Sequence, residues 1–401
     1  MLTGEELLRL QNGNGVSGIA LRNEKEKNVT LTEEAANRIA GGFVLFLEQK
    51  TLKPASELKV AIGHDSRLSS DELTEAAKKA MLSMGVRVVD CGLAPAPAMF
   101  MSTLFPETSA DGAVMVTGGK EVFTVNGFKF YTMAGCAEEE DIRRILEHAS
   151  ELPEQNITEG ASAGTGGSTQ NAGKCYLVGI YSKYLSDKLR EALGGGEEPL
   201  SGRHIVVDAG SGSGGFFAEK ILSPMGADIK GSLFLEPDGH FPGHIPDPGS
   251  KEAMEALKNA VLLSGADFGL SFDAGMERLS AVSGNGVELK GSSLIGAVAE
   301  VLAPDYPWST VVTDLPAGNR LSEFMENELG MGHFSAKTGD IIKECRRLNG
   351  EGKVSPLAMD SSGRGVLSEN YYLEDGACLA LKLIISLAKE TGGTAIDFLS
   401  P

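Results

Sequence analysis

The sequence predicts an α/β fold built from three serial domains. Short apolar runs typical of strands alternate with amphipathic stretches typical of helices, and this alternation recurs in three separate parts of the chain. The chain has 401 residues, which at roughly 150 residues per domain fits two to three domains. Hydrophobic residues make up 42% and charged residues 23% of the chain, as in folded globular proteins. These values exclude a disordered chain and a coiled coil.

The first part contains three predicted strands and two predicted helices. The strands are 58–63, 86–90 and 111–117, and the helices are 70–85 and 138–149. Residues 155–173 follow, rich in Gly, Ser, Thr and Ala and without an apolar period, so we expect a linker there. The first predicted domain therefore covers residues 1–155.

The second and third parts repeat the pattern. In the second part we predict helices at 180–193, 216–225 and 251–263 and strands at 204–208 and 267–273. In the third part we predict a strand at 310–313 and helices at 292–302, 319–329, 340–348 and 375–389. The second predicted domain is therefore 156–290 and the third is 291–401, with residues 392–401 starting a new segment.

Charge and hydropathy exclude several classes of protein. The chain has 36 Lys and Arg against 55 Asp and Glu, a formal charge of −19, which argues against a nucleic-acid partner or a polybasic membrane surface. No apolar run reaches the roughly 18 residues that a membrane span needs. The first residues lack the basic start and apolar core of a signal peptide. We expect a soluble protein without a membrane span.

The cysteines indicate the compartment. There are five of them, widely spaced and without a Cys-x-x-Cys pair, so neither a disulfide framework nor a zinc site is predicted. We expect reduced thiols and a cytoplasmic location. A soluble organelle compartment reached with an import peptide that is then removed would leave the same pattern.

A glycine-rich turn at 208–215 has two interpretations. It contains Gly-x-Gly-x-x-Gly at Gly210, Gly212 and Gly215, between a predicted strand and a predicted helix. In dinucleotide-binding proteins such glycines let a pyrophosphate reach a helix N-terminus. Tight strand-to-helix turns use the same glycines, so nucleotide binding stands here as an alternative to a structural turn.

Four segments, in this order along the chain, resemble one known family. They are Gly63-His-Asp-Ser-Arg67, 115–129, Phe272-Asp-Ala-Gly-Met-Glu-Arg278 and Asp360-Ser-Ser-Gly-Arg364. Together they resemble the alpha-D-phosphohexomutases, the phosphoglucomutase and phosphomannomutase family, and residues 10–19 and 234–242 are similar as well. The resemblance covers essentially the whole chain. It implies three similar mixed-sheet α/β domains and a smaller fourth domain, with the active site in the cleft where they meet.

The loop that carries a phosphoserine in these mutases is changed. The family loop reads Thr-x-Ser-His and is followed by Asn-Gly. Thr117 matches its first residue and Asn126 starts the Asn-Gly pair. The resemblance therefore puts Gly119 at the phosphoserine position and Lys120 at the adjacent histidine position. Glycine has no oxygen to carry a phosphoryl group, and the nearest hydroxyls belong to Thr117 and Thr124.

The loop that binds magnesium in the family has also changed. Its three acids in Asp-x-Asp-x-Asp-Arg correspond here to Asp273, Gly275 and Glu277, followed by Arg278. Asp273 and Glu277 could hold a hydrated ion, because Mg²⁺ binds through one or two carboxylates with water. A solvated acidic turn is the alternative, so no cofactor is expected and Mg²⁺ is a weak candidate.

The sugar-recognition loop, Glu-x-Ser-Gly-His in the family, corresponds to Asp360, Ser362 and Arg364 around a retained glycine. The resemblance implies substrate contacts for these three residues and for Lys129, and an arginine is a bidentate donor for phosphate. An ordinary polar turn is the alternative. The Arg-Pro-Ser-Gly-Thr-like loop of the fourth domain does not follow the last predicted helix, so we expect the fourth domain to be absent.

These departures favour a catalytically inactive phosphohexomutase-like protein. Its role would be reassigned to binding a protein partner, assembling a complex or sensing a sugar phosphate. The alternative is an active phosphoglucomutase- or phosphomannomutase-like phosphotransferase that uses Thr117 or water as phosphoryl acceptor. The motifs leave the choice between enzyme and non-enzyme open.

Overall fold

The computed structural model describes residues 2–24, 26, 28–152 and 172–389. Residues 155–171 of the predicted linker and the segment 392–401 lie outside the described residues. The chain divides into two compact units. The first unit is Met1–Gly179 with Asp238–His240, and the second unit is Ile180–Pro237 with Phe241–Pro401.

The first unit is built on one mixed sheet. Its helices are α1 (Gly4–Leu8), α2 (Glu33–Thr51), α3 (Ser70–Ser83), α4 (Ala96–Met101) and α5 (Glu139–Glu151). Its strands are β1 (Gln11–Asn12), β2 (Gly15–Ile19), β3 (Lys59–His64), β4 (Arg87–Leu93), β5 (Gly112–Val116), β6 (Val125–Thr132), β7 (Gly135–Cys136) and β8 (Ala172–Lys174). The strand order is β1-β2-β6-β5-β3-β4-β8, with β7 on β6. β3 runs parallel to β4 and β5, and β6 runs antiparallel to β5.

The core of the first unit lies on both faces of this sheet. On one face α2, α3 and α5 pack on alternate residues of the strands, as when Phe43 of α2 meets Phe130 of β6 at 4.8 Å between ring centroids. On the other face Phe100 of α4 meets Tyr131, the next residue of β6, at 6.2 Å. Successive side chains of a strand point to opposite faces, so β6 is covered on both sides.

The rest of the described chain, from Leu177 onward, contains six α-helices and two smaller sheets. The helices are α6 (Leu177–Ala192), α7 (Lys251–Ser264), α8 (Ser292–Leu302), α9 (Arg320–Asn327), α10 (Ile341–Gly350) and α11 (Gly376–Lys389). The strands are β9 (Ile205–Asp208), β10 (Phe268–Phe272), β11 (Leu279–Ser283), β12 (Glu288–Leu289), β13 (Thr310–Thr313), β14 (Gly332–Ser335), β15 (Leu357–Met359) and β16 (Gly365–Leu367). The sheet orders are β12-β11-β10-β9 and β14-β13-β15-β16. Both sheets mix parallel and antiparallel pairs, so the prediction of mixed-sheet α/β architecture is confirmed.

Most predicted elements are present within one to three residues, one predicted helix differs in type, and several observed elements, among them α2, were not predicted. The sequence analysis does not predict α2, although Thr32 caps it by accepting a hydrogen bond from the Ala35 N–H. The predicted helix at 216–225 is a π-helical turn, Phe217–Leu222, followed by a 3₁₀ turn, Ser223–Met225. Pro224 has no N–H for a helical hydrogen bond, which accounts for the irregular end.

The three sheets follow one another along the chain in the order of the three predicted domains. β8 lies in the predicted range 156–290 but pairs with β4 in the first sheet. The boundaries themselves stay a prediction. Within the described ranges, no helix combines the length and the apolar character that crossing a bilayer requires.

Candidate functional site

The loop between β5 and β6, residues 117–122, contains Gly119, which the resemblance places at the phosphoserine position. Gly119 has a φ of +58°, a left-handed conformation that favours glycine. A Cβ atom on Gly118 would lie 2.6 Å from both the Arg67 Nε and the Val125 carbonyl oxygen. The close approach of Arg67 therefore requires a glycine at position 118. We call residues 117–122 the glycine loop.

Arg67 holds the glycine loop from inside the first unit. Its side chain is buried, and Nη2 donates to the carbonyl oxygens of Gly119 at 2.7 Å and Glu121 at 2.8 Å. Nη1 donates to the Val122 carbonyl at 2.8 Å, and Nε donates to Asp65 Oδ2 at 3.1 Å. The planar guanidinium thus binds three carbonyls of one loop and one carboxylate, which fixes the loop's backbone.

The two hydroxyls nearest to the phosphoserine position are turned into the protein. Thr117 is 5% exposed, and its Oγ1 donates to Asp65 Oδ2 at 2.7 Å and accepts from the Gly119 N–H at 3.0 Å. Thr124 is fully buried. A nucleophile must reach the phosphorus atom of its substrate, so neither hydroxyl is placed as Ser would be at position 119.

The matched Asn126 joins the same buried network. Its Nδ2 donates to Ser69 Oγ at 3.0 Å and Ser70 Oγ at 3.1 Å, at the start of α3. Ser70 Oγ donates in turn to Asp65 Oδ1 at 3.0 Å. We call Asp65, Arg67, Thr117 and Asn126 the Arg67 cluster. It unites two sequence motifs that lie more than fifty residues apart.

Lys120 and Lys129, two predicted site residues of the first unit, are both half-buried. Lys120 follows Gly119 in the turn of the glycine loop. Lys129 lies on β6 opposite Met115 of β5. The roles that the resemblance implies for Lys129 and for the position of Lys120 stay predictions.

In the second unit, Asp273 organises the loop that resembles the family's metal loop. Asp273 is fully buried, and its Oδ1 accepts from the backbone N–H groups of Glu277 at 2.7 Å and Arg278 at 3.0 Å. Its Oδ2 pairs with Arg278 Nη1 at 3.0 Å. A guanidinium therefore occupies the side of Asp273 where a cation would be expected.

The donor set around Asp273 does not fit Mg²⁺. Gly275 contributes no carboxylate, and both Asp273 oxygens already accept N–H groups. In the part of the chain that the structure describes, no three His, Cys, Asp or Glu side chains form a metal-binding group. Mg²⁺ prefers octahedral coordination by oxygen ligands, which this loop does not offer.

Asp360 organises the loop that resembles the sugar-recognition loop. Asp360 is buried, and its Oδ1 accepts from the Ser362 N–H at 2.9 Å and the Ser362 hydroxyl at 2.6 Å. Arg364 donates through Nε to Asp360 Oδ2 at 3.1 Å and pairs through Nη1 with Glu374 Oε1 at 3.2 Å. The charge of Glu374, assisted by Asp360, raises the pKa of Arg364 despite its burial.

The two loops of the second unit contact each other. Arg278 Nε donates to Ser362 Oγ at 3.3 Å, and the Leu279 N–H donates to the Gly363 carbonyl at 3.0 Å. Gly363 has a φ of +84°, and a Cβ there would lie 2.2 Å from the Leu279 carbonyl oxygen. Burial lowers the pKa of Arg278, but the charges of Asp273 and Glu277 outweigh it, so the pKa is raised. The structure thus brings together five predicted site residues, Asp273, Glu277, Asp360, Ser362 and Arg364.

We name this group the Arg278–Arg364 cluster. Its members are Asp273, Glu277, Arg278, Asp360, Ser362, Arg364 and Glu374. It contains four buried carboxyl groups and two guanidinium groups. Buried charges persist only when they are paired, and here the guanidiniums are paired with carboxylates of the same unit. The positive charges of Arg278 and Arg364 are therefore largely neutralised by carboxylates of the protein.

The glycine-rich turn at 208–215 is structural. Its N–H groups donate within the protein: Ser211 to Phe234 O at 2.9 Å, Gly212 to Ala209 O at 2.8 Å and Ser213 to Ala274 O at 2.9 Å. A Cβ on Gly212 would lie 2.5 Å from the Ala274 Cα, and one on Gly215 would lie 2.1 Å from the Leu235 oxygen. The glycines admit neighbouring backbone, and these N–H groups are not offered to a pyrophosphate.

A buried His–Asp pair lies at the start of this turn. His244 Nε2 is 2.9 Å from Oδ2 of the fully buried Asp208. Burial lowers the pKa of His244, but the hydrogen bond and charge of Asp208 raise it more, so the net shift is upward. The sequence analysis assigns no role to either residue.

Sequence reasoning missed three residues that organise these clusters. Arg67 and Asp65 lie in a motif that it quotes without assigning a role, and that motif was the available signal. Glu374 lies in no motif. It meets Arg364 only because an isolated antiparallel bridge pairs Glu374 with Val366 of β16, which no local pattern reveals.

Comparison with known proteins gives a consistent result. Residues 9–156 match the family model "Phosphoglucomutase/phosphomannomutase, alpha/beta/alpha domain I", and residues 182–286 match the model of domain II. A phosphomannomutase/phosphoglucomutase of Pseudomonas putida is 29% identical over 336 residues, 83% of this chain and 66% of that protein. A phosphoglucosamine mutase of Lactobacillus johnsonii is 28% identical over 403 residues, 98% of this chain and 81% of that protein.

A solved structure agrees with the fold. A phosphoglucomutase/phosphomannomutase family protein from Burkholderia thailandensis superposes with a TM-score of 0.76 at 22% identity, covering 96% of this chain and 78% of that one. At this identity the likeness concerns the fold. The chain spans about two thirds of the length of the Pseudomonas relative.

Proposed function

This chain belongs to the phosphoglucomutase/phosphomannomutase family, and we propose that its ligands are phosphorylated hexoses on which it carries out phosphoryl transfer. The relatives at 28–29% identity that support this proposal are named as mutases of hexose and hexosamine phosphates. Catalysis of phosphoryl transfer consists mainly of positioning and electrostatic stabilisation. A loop with one fixed conformation beside the bound phosphate would therefore serve this reaction.

The Arg67 cluster is the observation that carries the proposal. A buried guanidinium that binds three carbonyls of the glycine loop gives this loop one conformation. Burying a charged group is costly unless it is paired. The hydrogen bonds of Arg67 offset this cost only while the loop keeps the observed backbone conformation, so burial of Arg67 favours that conformation. Fixed geometry is what transfer between two oxygens requires.

The phosphoryl acceptor in this proposal is water or a hydroxyl of the bound hexose. Gly119 has no side chain, and the Thr117 hydroxyl is directed at Asp65. The attacking oxygen forms a bond to phosphorus while the bond from phosphorus to the leaving sugar oxygen breaks. The proton of the attacking hydroxyl passes to the leaving oxygen, so the step balances without a further reactant.

A second candidate function is binding without turnover. It is favoured by Gly119 at the nucleophile position and by the two guanidiniums, Arg278 and Arg364, that pair with carboxylates of their own unit. Loss of the nucleophile alone costs on the order of 10⁶ in turnover in a hydrolase. In this candidate the scaffold serves to bind a protein partner or to sense a sugar phosphate.

One experiment separates the two functions. Glucose 1-phosphate and mannose 1-phosphate are assayed in coupled mutase reactions with a hexose 1,6-bisphosphate and magnesium in the buffer. Release of inorganic phosphate is measured in parallel, because transfer to water would free it. Binding of both sugars is measured by calorimetry. The parent chain is compared with Gly119→Ser. Gly92→Ser is the matched control, because Gly92 has nearly the same φ, +59°, and a Cβ there would have no atom within 4 Å.

Turnover by the parent chain supports the proposal. Binding without turnover supports the second candidate, and turnover only in Gly119→Ser would show that position 119 alone stops the reaction. Absence of both binding and turnover in all three proteins would rule out phosphoryl transfer on these sugars and the sensing of these two sugar phosphates.

A further inference from the structure

Trp308, the single tryptophan of the chain, is presented to solvent. It lies in the segment between α8 and β13, and its side chain is 88% exposed. The next residue, Ser309, is buried. A large aromatic side chain has much to gain from burial, so its exposure beside a buried neighbour calls for an explanation.

The segment around Trp308 is fixed on both sides. Before it, the Tyr306 N–H donates to the Leu302 carbonyl at 3.0 Å, and the Tyr306 hydroxyl donates to Glu369 Oε2 at 2.8 Å. After it, the Gly332 N–H donates to the Ser309 carbonyl at 2.8 Å. The exposure of the indole is therefore set by hydrogen bonds of the second unit.

The backbone of Trp308 is strained as well. Its φ is +61°, a left-handed conformation that is an outlier for a bulky residue. Met276 has nearly the same angle, +60°, but is fully buried, so its packing compensates. Trp308 has no such compensation inside its unit. Strained backbone conformations cluster at functional positions.

Topology places a second apolar residue beside Trp308. β13 lies between β14 and β15 and runs parallel to both, so the segments that precede these strands share one edge of the sheet. Val354, which is half exposed, accepts a hydrogen bond from the Thr310 N–H at 2.9 Å. Trp308 and Val354 therefore belong to one surface. We call it the Trp308 face and add its exposed charged residues, Asp305, Glu328, Glu351 and Lys353.

The Trp308 face is acidic. It carries three carboxylates and one ammonium group, on a chain with a net charge of −19. Glu351 pairs with Arg347 at 2.5 Å and with Lys353 at 3.8 Å. Among the residues that the structure describes, Asp305 and Glu328 form no ion pair, so these two carboxylates supply the acidic charge that the face offers to a partner. A cation over an indole face is attracted by the ring, and Trp is the best such ring. A neighbouring carboxylate strengthens the same preference.

We propose that the Trp308 face docks a basic segment of a partner protein, with an arginine side chain stacked on the indole and the acidic residues around it. The arginine guanidinium suits a ring and carboxylates together. A second copy of this chain would bring the same acidic charge, and like charges disfavour association. The inference does not depend on the proposed function, because the Trp308 face shares no residue with either cluster described above.

The test uses the fluorescence of Trp308, which reports on this face alone. A short arginine-rich peptide is titrated at low salt, beside the same peptide with glutamate in place of arginine. We expect a saturable change in emission with the arginine peptide only, which weakens as salt is added. Affinities of the variants are then measured by anisotropy of the labelled peptide.

Trp308→Ala is expected to weaken peptide binding about tenfold, as for an interface residue that carries much of the affinity. Trp308→Gly should do the same while relieving the left-handed strain, so misfolding would not account for a loss seen in both. Leu263→Ala is the matched control, because Leu263 on α7 is also 88% exposed and should bind like the parent. Asp305→Asn with Glu328→Gln should bind severalfold more weakly.

Three results would overturn the proposal. The first is equal peptide affinity in the parent and in both Trp308 variants. The second is a dimer in analytical ultracentrifugation that Trp308→Ala abolishes, since the occupant would then be a second copy. The third is an emission change with hexose phosphates but not with the arginine peptide, which would make the face a sugar site.

Discussion

The Arg67 cluster and the Arg278–Arg364 cluster both bury guanidinium groups, but they bind different partners. Arg67 meets one carboxylate and three backbone carbonyls of a single loop. Arg278 and Arg364 meet carboxylates and connect two loops. The first arrangement shapes a backbone, whereas the second neutralises side chains against each other.

This difference separates two ways in which a family site changes. In the first unit the loop is held in one conformation, and the positions that the resemblance assigns to the phosphoserine and the adjacent histidine carry Gly119 and Lys120. In the second unit, Asp360 and Arg364, for which the resemblance implies substrate contacts, pair with neighbours of their own unit. A single substitution at position 119 could therefore supply the missing hydroxyl in the first unit, whereas the second would need several.

The largest effect is expected at Arg67. Arg67→Met should lower the free energy of unfolding by about 3–5 kcal/mol, because it leaves Asp65 and three loop carbonyls without their buried partner. Urea denaturation followed by circular dichroism measures the change. Arg143→Met on α5, whose side chain is about half exposed, is the control and should cost far less, because ion pairs at the surface are screened by solvent. Equal effects of the two variants would refute a structural role for Arg67.

A smaller effect is expected where the two loops of the second unit meet. Gly363→Ala should cost roughly 2–4 kcal/mol, because its Cβ would overlap the Leu279 carbonyl and its φ is left-handed. Gly352→Ala has a similar φ of +80° but open space around it, so it measures the backbone strain alone. Thermal or urea unfolding of both variants gives the difference, and a Gly352→Ala effect as large as that of Gly363→Ala would contradict the close contact.

Arg364→Met sharpens the comparison of the two clusters. It should cost about 2–3 kcal/mol, since Asp360 and Glu374 lose their partner but partial solvent exposure of the Arg364 side chain screens the loss. The measurement is again urea denaturation, beside Arg67→Met. If Arg364→Met were the more destabilising of the two, the second cluster rather than the first would carry the greater structural load.

The smallest effect concerns pH and the second unit. The pKa of His244 is raised in the folded protein by Asp208, so protonated His244 stabilises the fold. This contribution is fully present below the unfolded pKa of about 6.5 and is lost as the pH rises through the folded pKa. The stability difference between the parent and His244→Gln should therefore shrink as the pH rises from about 6 to about 8.

Urea denaturation across that pH range tests the effect. His240→Gln is the matched control, because His240 lies in the same segment with an exposed side chain. Its stability should follow the parent at each pH. A pH-independent difference between the parent and His244→Gln would exclude the Asp208 pair as its source.

Much of the fold was predictable because it depends on local patterns. Short apolar runs between turn residues predicted β3, β5, β9, β10 and β13, and amphipathic periodicity predicted α3, α5, α7 and α8. The nineteen-residue α2 was missed although it is buried along most of its length. A helix that is apolar on most sides has no clear amphipathic period, which explains why its pattern is weak.

The candidate site was predictable in part for the same reason. Motif register proposes Gly119, Asp273 and Asp360 as site residues from the sequence, and these assignments stay predictions. That Gly119 lacks a nucleophilic oxygen follows from the residue type alone. The partners of these residues were not predictable. Arg67 meets the glycine loop more than fifty positions away, and Arg278 meets Ser362 across more than eighty.

Residue identity alone thus excluded a serine at position 119 and a third carboxylate at position 275, the positions that the resemblance singles out, because this depends only on which atoms those residues carry. The tertiary structure decided whether the remaining groups are available to a ligand. Burial and pairing set that availability, and both depend on which distant segments meet. Arg364 carries the donors for a phosphate, but Asp360 and Glu374 lie against it in the folded chain and bind those donors first.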